Sequence, residues 1–277
     1  MKNENVKQNL NQNAIGVFDS GLGGLTAVKE LNRILPQENI IFFGDTARVP
    51  YGTRSRKTIL RYTREDIAIL RQHPVKMIIA ACGTVSSALG TDSPVEEEMP
   101  FTGVVYPAAR TACRMTKNRH IGVIGTPATI RSGGYVQAIH AIDPEITVTA
   151  MACPLLVHLV EYGYTNRDNP ITRLAAEEYL LPIKNAGADT LIMGCTHYPI
   201  IRDIIADIMG ADVQLISAGE EAAKFARDCL AQRGLLADRT EPGHNIYYVS
   251  DSEESFRENA KHFLPDAAHG QVCSIHI

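Results

Sequence analysis

The chain has 277 residues, 45% hydrophobic and 6% aromatic, with no tryptophan and a formal net charge of −4 at pH 7. At roughly 150 residues per domain that length suits two domains with sizeable cores, and the mildly acidic balance, without a Lys/Arg block, argues against a nucleic-acid partner. No apolar run approaches the roughly 18 to 20 residues that cross a bilayer, and six cysteines without a Cys-x-x-Cys pair suggest free thiols in a cytoplasmic protein, not a disulfide framework.

In chain order, residues 1–13 are mostly Asn, Gln and Lys, with Val6 and Leu10 as isolated apolar positions, and read as a disordered tail lacking the apolar centre of an export signal. Short apolar runs then alternate with helix-like stretches, the pattern of an α/β protein with mostly parallel sheets. The expected strands are 14–18, 40–43, 77–81, 121–124, 146–150, 190–193, 213–216 and 246–249. Between the second and third, 58–71 puts Ile59, Leu60, Ile67 and Leu70 near one side and Arg61, Arg64 and Glu65 near the other, as in a helix packed on a sheet. Glu96-Glu97-Glu98 reads as a solvated turn.

A weak duplication organises these elements. Ile15-Gly16-Val17 opens one half and Ile121-Gly122-Val123 the other; one later strand ends in Cys82-Gly83-Thr84, its counterpart in Gly194-Cys195-Thr196-His197. Ligand crevices border the carboxyl ends of strands in open α/β sheets, so halves that face each other would bring both cysteines into one interdomain cleft. The plainer alternative is that both are packing residues.

Reversing a stereocentre without redox chemistry needs a base on one face of the carbon and an acid on the other, and two opposed thiols in opposite protonation states meet that need. A free thiol titrates near pH 8.5, so forming a thiolate at pH 7 takes about 2 kcal/mol of environmental help. Asp19, Glu161 and His197 are the groups able to manage the protons, although Asp19 charged beside Cys82 would raise that thiol's pKa. Each has a simpler reading. Asp19-Ser20 can cap the next helix, His197 can be a structural donor, and Cys195-Thr196-His197 resembles half of a metal site without its other half. The turn Gly21-Leu22-Gly23-Gly24 can offer amides to an anion, but its spacing is not a dinucleotide fingerprint.

Four strings identify a family: Phe18-Asp19-Ser20-Gly21-Leu22-Gly23-Gly24; Gly44-Asp45-Thr46-Ala47-Arg48-Val49-Pro50-Tyr51-Gly52; Leu159-Val160-Glu161; and Gly194-Cys195-Thr196-His197-Tyr198-Pro199. From Ala14 to the last expected strand the chain resembles bacterial glutamate racemases. The resemblance implies two similar α/β domains, 14–105 plus 218–277 and an inserted 106–217, with glutamate closed between them. It also implies no cofactor, a homodimer, and D-glutamate made for peptidoglycan, while the missing second ligand pair and the lack of a long apolar run point to no metal and no membrane. Cys82 and Cys195 are then the acid/base thiols, with Asp19 assisting the first and Glu161 and His197 the second. Ser20, Pro50, Tyr51, Gly52, Gly83, Thr84, Thr126, Thr129 and Thr196 match substrate-binding positions, though Thr126 and Thr129 alone would read as a helix start. Hydroxyls and amides suit that task, because they bind carboxylates without setting a full positive charge beside a needed thiolate.

One position departs from the family pattern, which has Asn after the first catalytic cysteine where this chain has Gly83. A lost pair of hydrogen bonds to a charged ligand costs on the order of 1.5–3 kcal/mol each unless water substitutes. Weak glutamate binding, slow turnover or shifted specificity is therefore expected, with Gly83→Asn raising activity. Competing readings are a racemase of aspartate or another small carboxylate, a glutamate-binding protein, and a thiol redox pair. No lysine context points to a pyridoxal Schiff base, and Cys113, Cys153, Cys229 and Cys273 are expected to be packing residues.

Overall fold

The computed structural model describes residues 10–90, 94–95 and 99–276. The Glu96-Glu97-Glu98 turn and residues 1–9 of the expected tail lie outside them. Residues 10–13 are docked: the amide of Asn13 donates to Leu10 O at 3.0 Å and Arg239 Nη2 donates to Gln12 Oε1 at 2.8 Å.

The described residues form ten strands: β1 (Ala14–Asp19), β2 (Ile40–Gly44), β3 (Val75–Ala80), β4 (Phe101–Gly103), β5 (His120–Gly125), β6 (Thr147–Ala152), β7 (Thr190–Met193), β8 (Gln214–Ser217), β9 (Asn245–Val249) and β10 (Gln271–Ser274). They make two sheets, β10-β9-β2-β1-β3-β4 and β6-β5-β7-β8. Every pairing is parallel. The chain leaves the first sheet after β4, builds the second, and returns for β9 and β10. The helix Ala218–Arg233 marks the joint, packing on both Leu25–Ile34 and Val105–Met115.

β1 shows why the residues fall this way. It lies inside a parallel sheet covered on both faces, so all six residues are buried and the sequence reads as a continuous apolar run instead of alternating. Ile15 and Val17 enter one core with Leu25, Val28 and Leu31, while Ala14 and Phe18 enter the other with Ile59, Ile67 and Leu70. Side chains on a strand point alternately to opposite faces, and each face here meets its own helix.

All eight expected strands are present, with bounds shifted by up to two residues. The expected helix at 58–71 runs from Arg56 to Leu70, started by Ser55, whose hydroxyl accepts from the amide of Thr58 at 3.3 Å. β4 and β10 were not expected. Both are short edge strands, and three or four residues carry too little periodicity to register. No helix among the described residues is long and apolar enough to cross a membrane.

Candidate active site

The strand order brings the chemistry together. β1 lies between β2 and β3, with Asp19 in register with Gly44, and the amide of Ala81 donating to Phe18 O at 2.9 Å sets Cys82 beside them. In the second sheet the amide of Gly194 donates to Ile124 O at 2.8 Å and that of Cys153 to Gly125 O at 2.9 Å. These two carboxyl edges face one cavity of about 120 Å³. Of the residues singled out in the sequence, all but Thr129 line it. Thr129 is 1% exposed and stands behind the wall, its hydroxyl 2.9 Å from that of Thr126 and 3.4 Å from that of Thr84. It supports two residues that do line the cavity. Thr126 also caps the helix Pro127–Ser132, accepting from the Thr129 amide at 3.2 Å, and it lines the cavity as well.

The two thiols, both free and buried, have unlike partners. Cys82 donates toward Ser20 Oγ at 3.4 Å. Burial pushes its thiol up to about 12, and the charge of Asp19 adds to the rise. Asp19 is 1% exposed and caps no helix; its Oδ2 accepts from the Gly21 amide at 3.0 Å while its Oδ1 has no hydrogen-bond partner. Burial raises its carboxyl above the usual range against the opposing charge of His197. At Cys195, the sulfur lies 3.7 Å from His197 Nδ1, and His197 Nε2 lies 3.2 Å from Glu161 Oε1. Burial disfavours charge on that ring, but the bonds to Cys195 and Glu161 outweigh it and push His197 up to about 10. The ring also stands edge-on to Phe263 with centroids 5.2 Å apart. One thiol thus sits beside a carboxylate and a hydroxyl, the other beside an imidazolium held by a carboxylate.

Glycines set how closely the halves meet. A Cβ at Gly23 would stand 2.2 Å from Thr196 Oγ1 and 2.7 Å from the His197 ring, so the glycine-rich turn serves close approach here. Thr26 Oγ1 fixes the same point by donating to Thr196 O at 2.9 Å. A Cβ at Gly83 would stand 2.1 Å from the carbonyl oxygen of Gly194, below any tolerable contact and against backbone. This argues against the expectation that Gly83→Asn raises activity. The new amide could reach the substrate only if the two catalytic segments moved apart.

Tyr51 lines the cavity, but its hydroxyl is spent elsewhere, on the buried carboxylates of Asp45 and Asp66. The sequence reading missed Val157 and His158 in the lining, from the helix Pro154–Glu161; their signal was spacing, since His158 and Glu161 lie three apart, with His158 Nδ1 3.8 Å from Glu161 Oε2. Cys113, Cys153, Cys229 and Cys273 are free and do not line the cavity. Among the described residues no group of three or more His, Cys, Asp or Glu side chains is placed to hold a metal ion.

The profile of Asp/Glu/hydantoin racemases matches residues 15–226. The chain belongs to this racemase family. A glutamate racemase of Chlorobaculum tepidum is 47% identical over 90% of this chain and 92% of its own. Among solved structures, a glutamate racemase isoform of Bacillus anthracis superposes with TM-score 0.88 at 36% identity, covering 96% of this chain and 97% of that one. The glutamate racemase of Francisella tularensis, solved with D-glutamate, gives 0.86 at 37%, covering 96% and 98%. The racemase is accordingly an isomerase built as two α/β domains with parallel sheets.

Proposed function

We propose that the racemase interconverts L- and D-glutamate by passing the α-proton between Cys82 and Cys195, with no cofactor. The observation that carries this is the pair of buried thiols on one small cavity with opposite electrostatic settings. In one direction Cys195, as a thiolate paired with the His197 imidazolium, takes the α-proton while the Cys82 thiol delivers its proton to the opposite face of the carbon. The reverse direction starts from the swapped protonation states. Asp19, with its free Oδ1, is placed to receive the Cys82 proton, and Glu161 holds His197 charged. The hydroxyls of Ser20, Thr84, Thr126 and Thr196 offer donors to the substrate carboxylates.

Glutamate is favoured over aspartate by the relatives: the Chlorobaculum, Bacillus and Francisella proteins are all named glutamate racemases, and the last was solved with D-glutamate bound. The reading extends to a cytoplasmic homodimer supplying D-glutamate for peptidoglycan, with the inserted domain spanning 106–217. The deciding experiment incubates the purified protein with L-glutamate and, separately, L-aspartate, and follows product by chiral chromatography. D-Glutamate forming much faster than D-aspartate is expected. Preference for aspartate, or tight glutamate binding without inversion, would overturn the assignment.

A further inference from the structure

Behind the cavity wall 49–52 lies a cluster that the proton-transfer chemistry does not use. Tyr51 is 1% exposed, and Asp45 and Asp66 are 0% exposed. Arg48 bridges the two carboxylates, Nε donating to Asp45 Oδ2 at 2.6 Å and Nη2 to Asp66 Oδ1 at 3.0 Å, while Nη1 donates to Glu65. Ser250 Oγ donates to Asp45 Oδ1 at 2.8 Å. The Tyr51 hydroxyl lies within hydrogen-bond distance of Asp45 Oδ2 and 3.1 Å from Asp66 Oδ2.

A hydrogen count follows. A phenol has one hydrogen to donate and an ionised carboxylate has none. If Tyr51 donates to Asp45, its contact with Asp66 needs a hydrogen from Asp66. Charge agrees: Arg48 brings one positive charge to three carboxylates, Asp45, Glu65 and Asp66. We propose that Asp66 is a positioning residue, a neutral acid that donates to Tyr51, fixes the 49–52 wall and thereby sets substrate affinity without taking part in proton transfer.

The groups facing Asp66 are Asp45, Arg48, Tyr51 and its helix neighbour Glu65, with the Tyr62 ring 4.1 Å under the Arg48 guanidinium. Burial pushes its carboxyl up to about 8; the charges of Asp45 and Glu65 add to this, and Arg48 and the hydrogen bond with Tyr51 oppose it. As pH rises past that value Asp66 ionises, Tyr51 loses its donor, and two anions face each other behind the substrate. Asn at this position keeps a donor at every pH.

The proposal rests on this cavity being the glutamate site. The test measures kcat and KM for both glutamate enantiomers from pH 6.5 to 9.5 in wild type, Asp66→Asn and Asp66→Ala, with Tm recorded at each pH. Wild-type KM is expected to climb severalfold above about pH 8 while kcat changes little, and KM of Asp66→Asn to stay flat. Asp66→Ala should raise KM about tenfold at every pH, the scale of one lost buried hydrogen bond to a charged network. Folding raises the Asp66 pKa, so its contribution to stability falls as pH rises toward 8; Asp66→Asn should therefore exceed wild type in Tm at pH 9. An Asp66→Asn KM profile that climbs like the wild type's, or a loss in kcat with KM unchanged, would overturn the proposal. A wild type that does not racemise glutamate would instead overturn the function reading.

Discussion

The surroundings of Cys82 and Cys195 differ in kind. Around Cys82 full burial and the adjacent Asp19 carboxylate favour a proton on sulfur, and they outweigh the hydrogen bonds with Ser20 and Val85 that favour the thiolate. Around Cys195 the nearest titratable group is a ring driven toward its cationic form, with Glu161 fixing it from behind. A chain that carried two equivalent thiols would have no preferred resting state. Two inequivalent ones favour one resting protonation state, and under the proposed mechanism the opposite direction must start from the swapped state.

The largest effect on this asymmetry is expected at His197. His197→Asn keeps a hydrogen-bonding side chain but removes the cation, and kcat/KM is expected to fall on the order of 10²- to 10³-fold. In the wild type the ring should lose its proton as pH rises through about 10. An alkaline limb near that pH is expected in the direction that uses Cys195 as base, and the limb should be absent from the variant. Because the folded pKa is raised, the stability the charged ring contributes is complete below about 6.5 and lost as pH rises through about 10. A variant with the wild-type pH profile would show that His197 does not set the asymmetry.

A smaller effect is expected at Gly83, which joins the two regions. Gly83→Asn pushes its segment against the Gly194 carbonyl and so separates the thiols. Displacement by a fraction of an ångström should lower kcat/KM on the order of tenfold. Steady-state kinetics against wild type decide it, and an increase in kcat/KM would restore the view that this chain lacks a substrate-binding amide.

Much of this arrangement was legible beforehand, and the exceptions have physical reasons. The central strands declared themselves because strands buried on both faces read as unbroken apolar runs, and the cysteines were found because each follows such a run. Thr129 stands behind the wall and not on it, a distinction hidden from the sequence because a helix start and a cavity wall use the same residue types. At Gly83 sequence shows which side chain is absent, while the Gly194 carbonyl that a side chain there would meet comes from the second sheet's edge and is visible only in the structure. Asp66 gave no signal at all. It sits on the helix Arg56–Leu70 between Glu65 and Ile67, and nothing in helical periodicity says that one acid of an adjacent pair turns inward to Tyr51.

The central claim is that two thiols act on opposite faces of one carbon, and isotope exchange tests it most directly. Wild type, Cys82→Ala and Cys195→Ala are incubated with L-glutamate and with D-glutamate in deuterated water, following α-deuterium by NMR and inversion by optical rotation. The account predicts deuterium incorporation and inversion of both enantiomers by the wild type, with inversion abolished by either substitution. Inversion that survives the loss of either cysteine would contradict it.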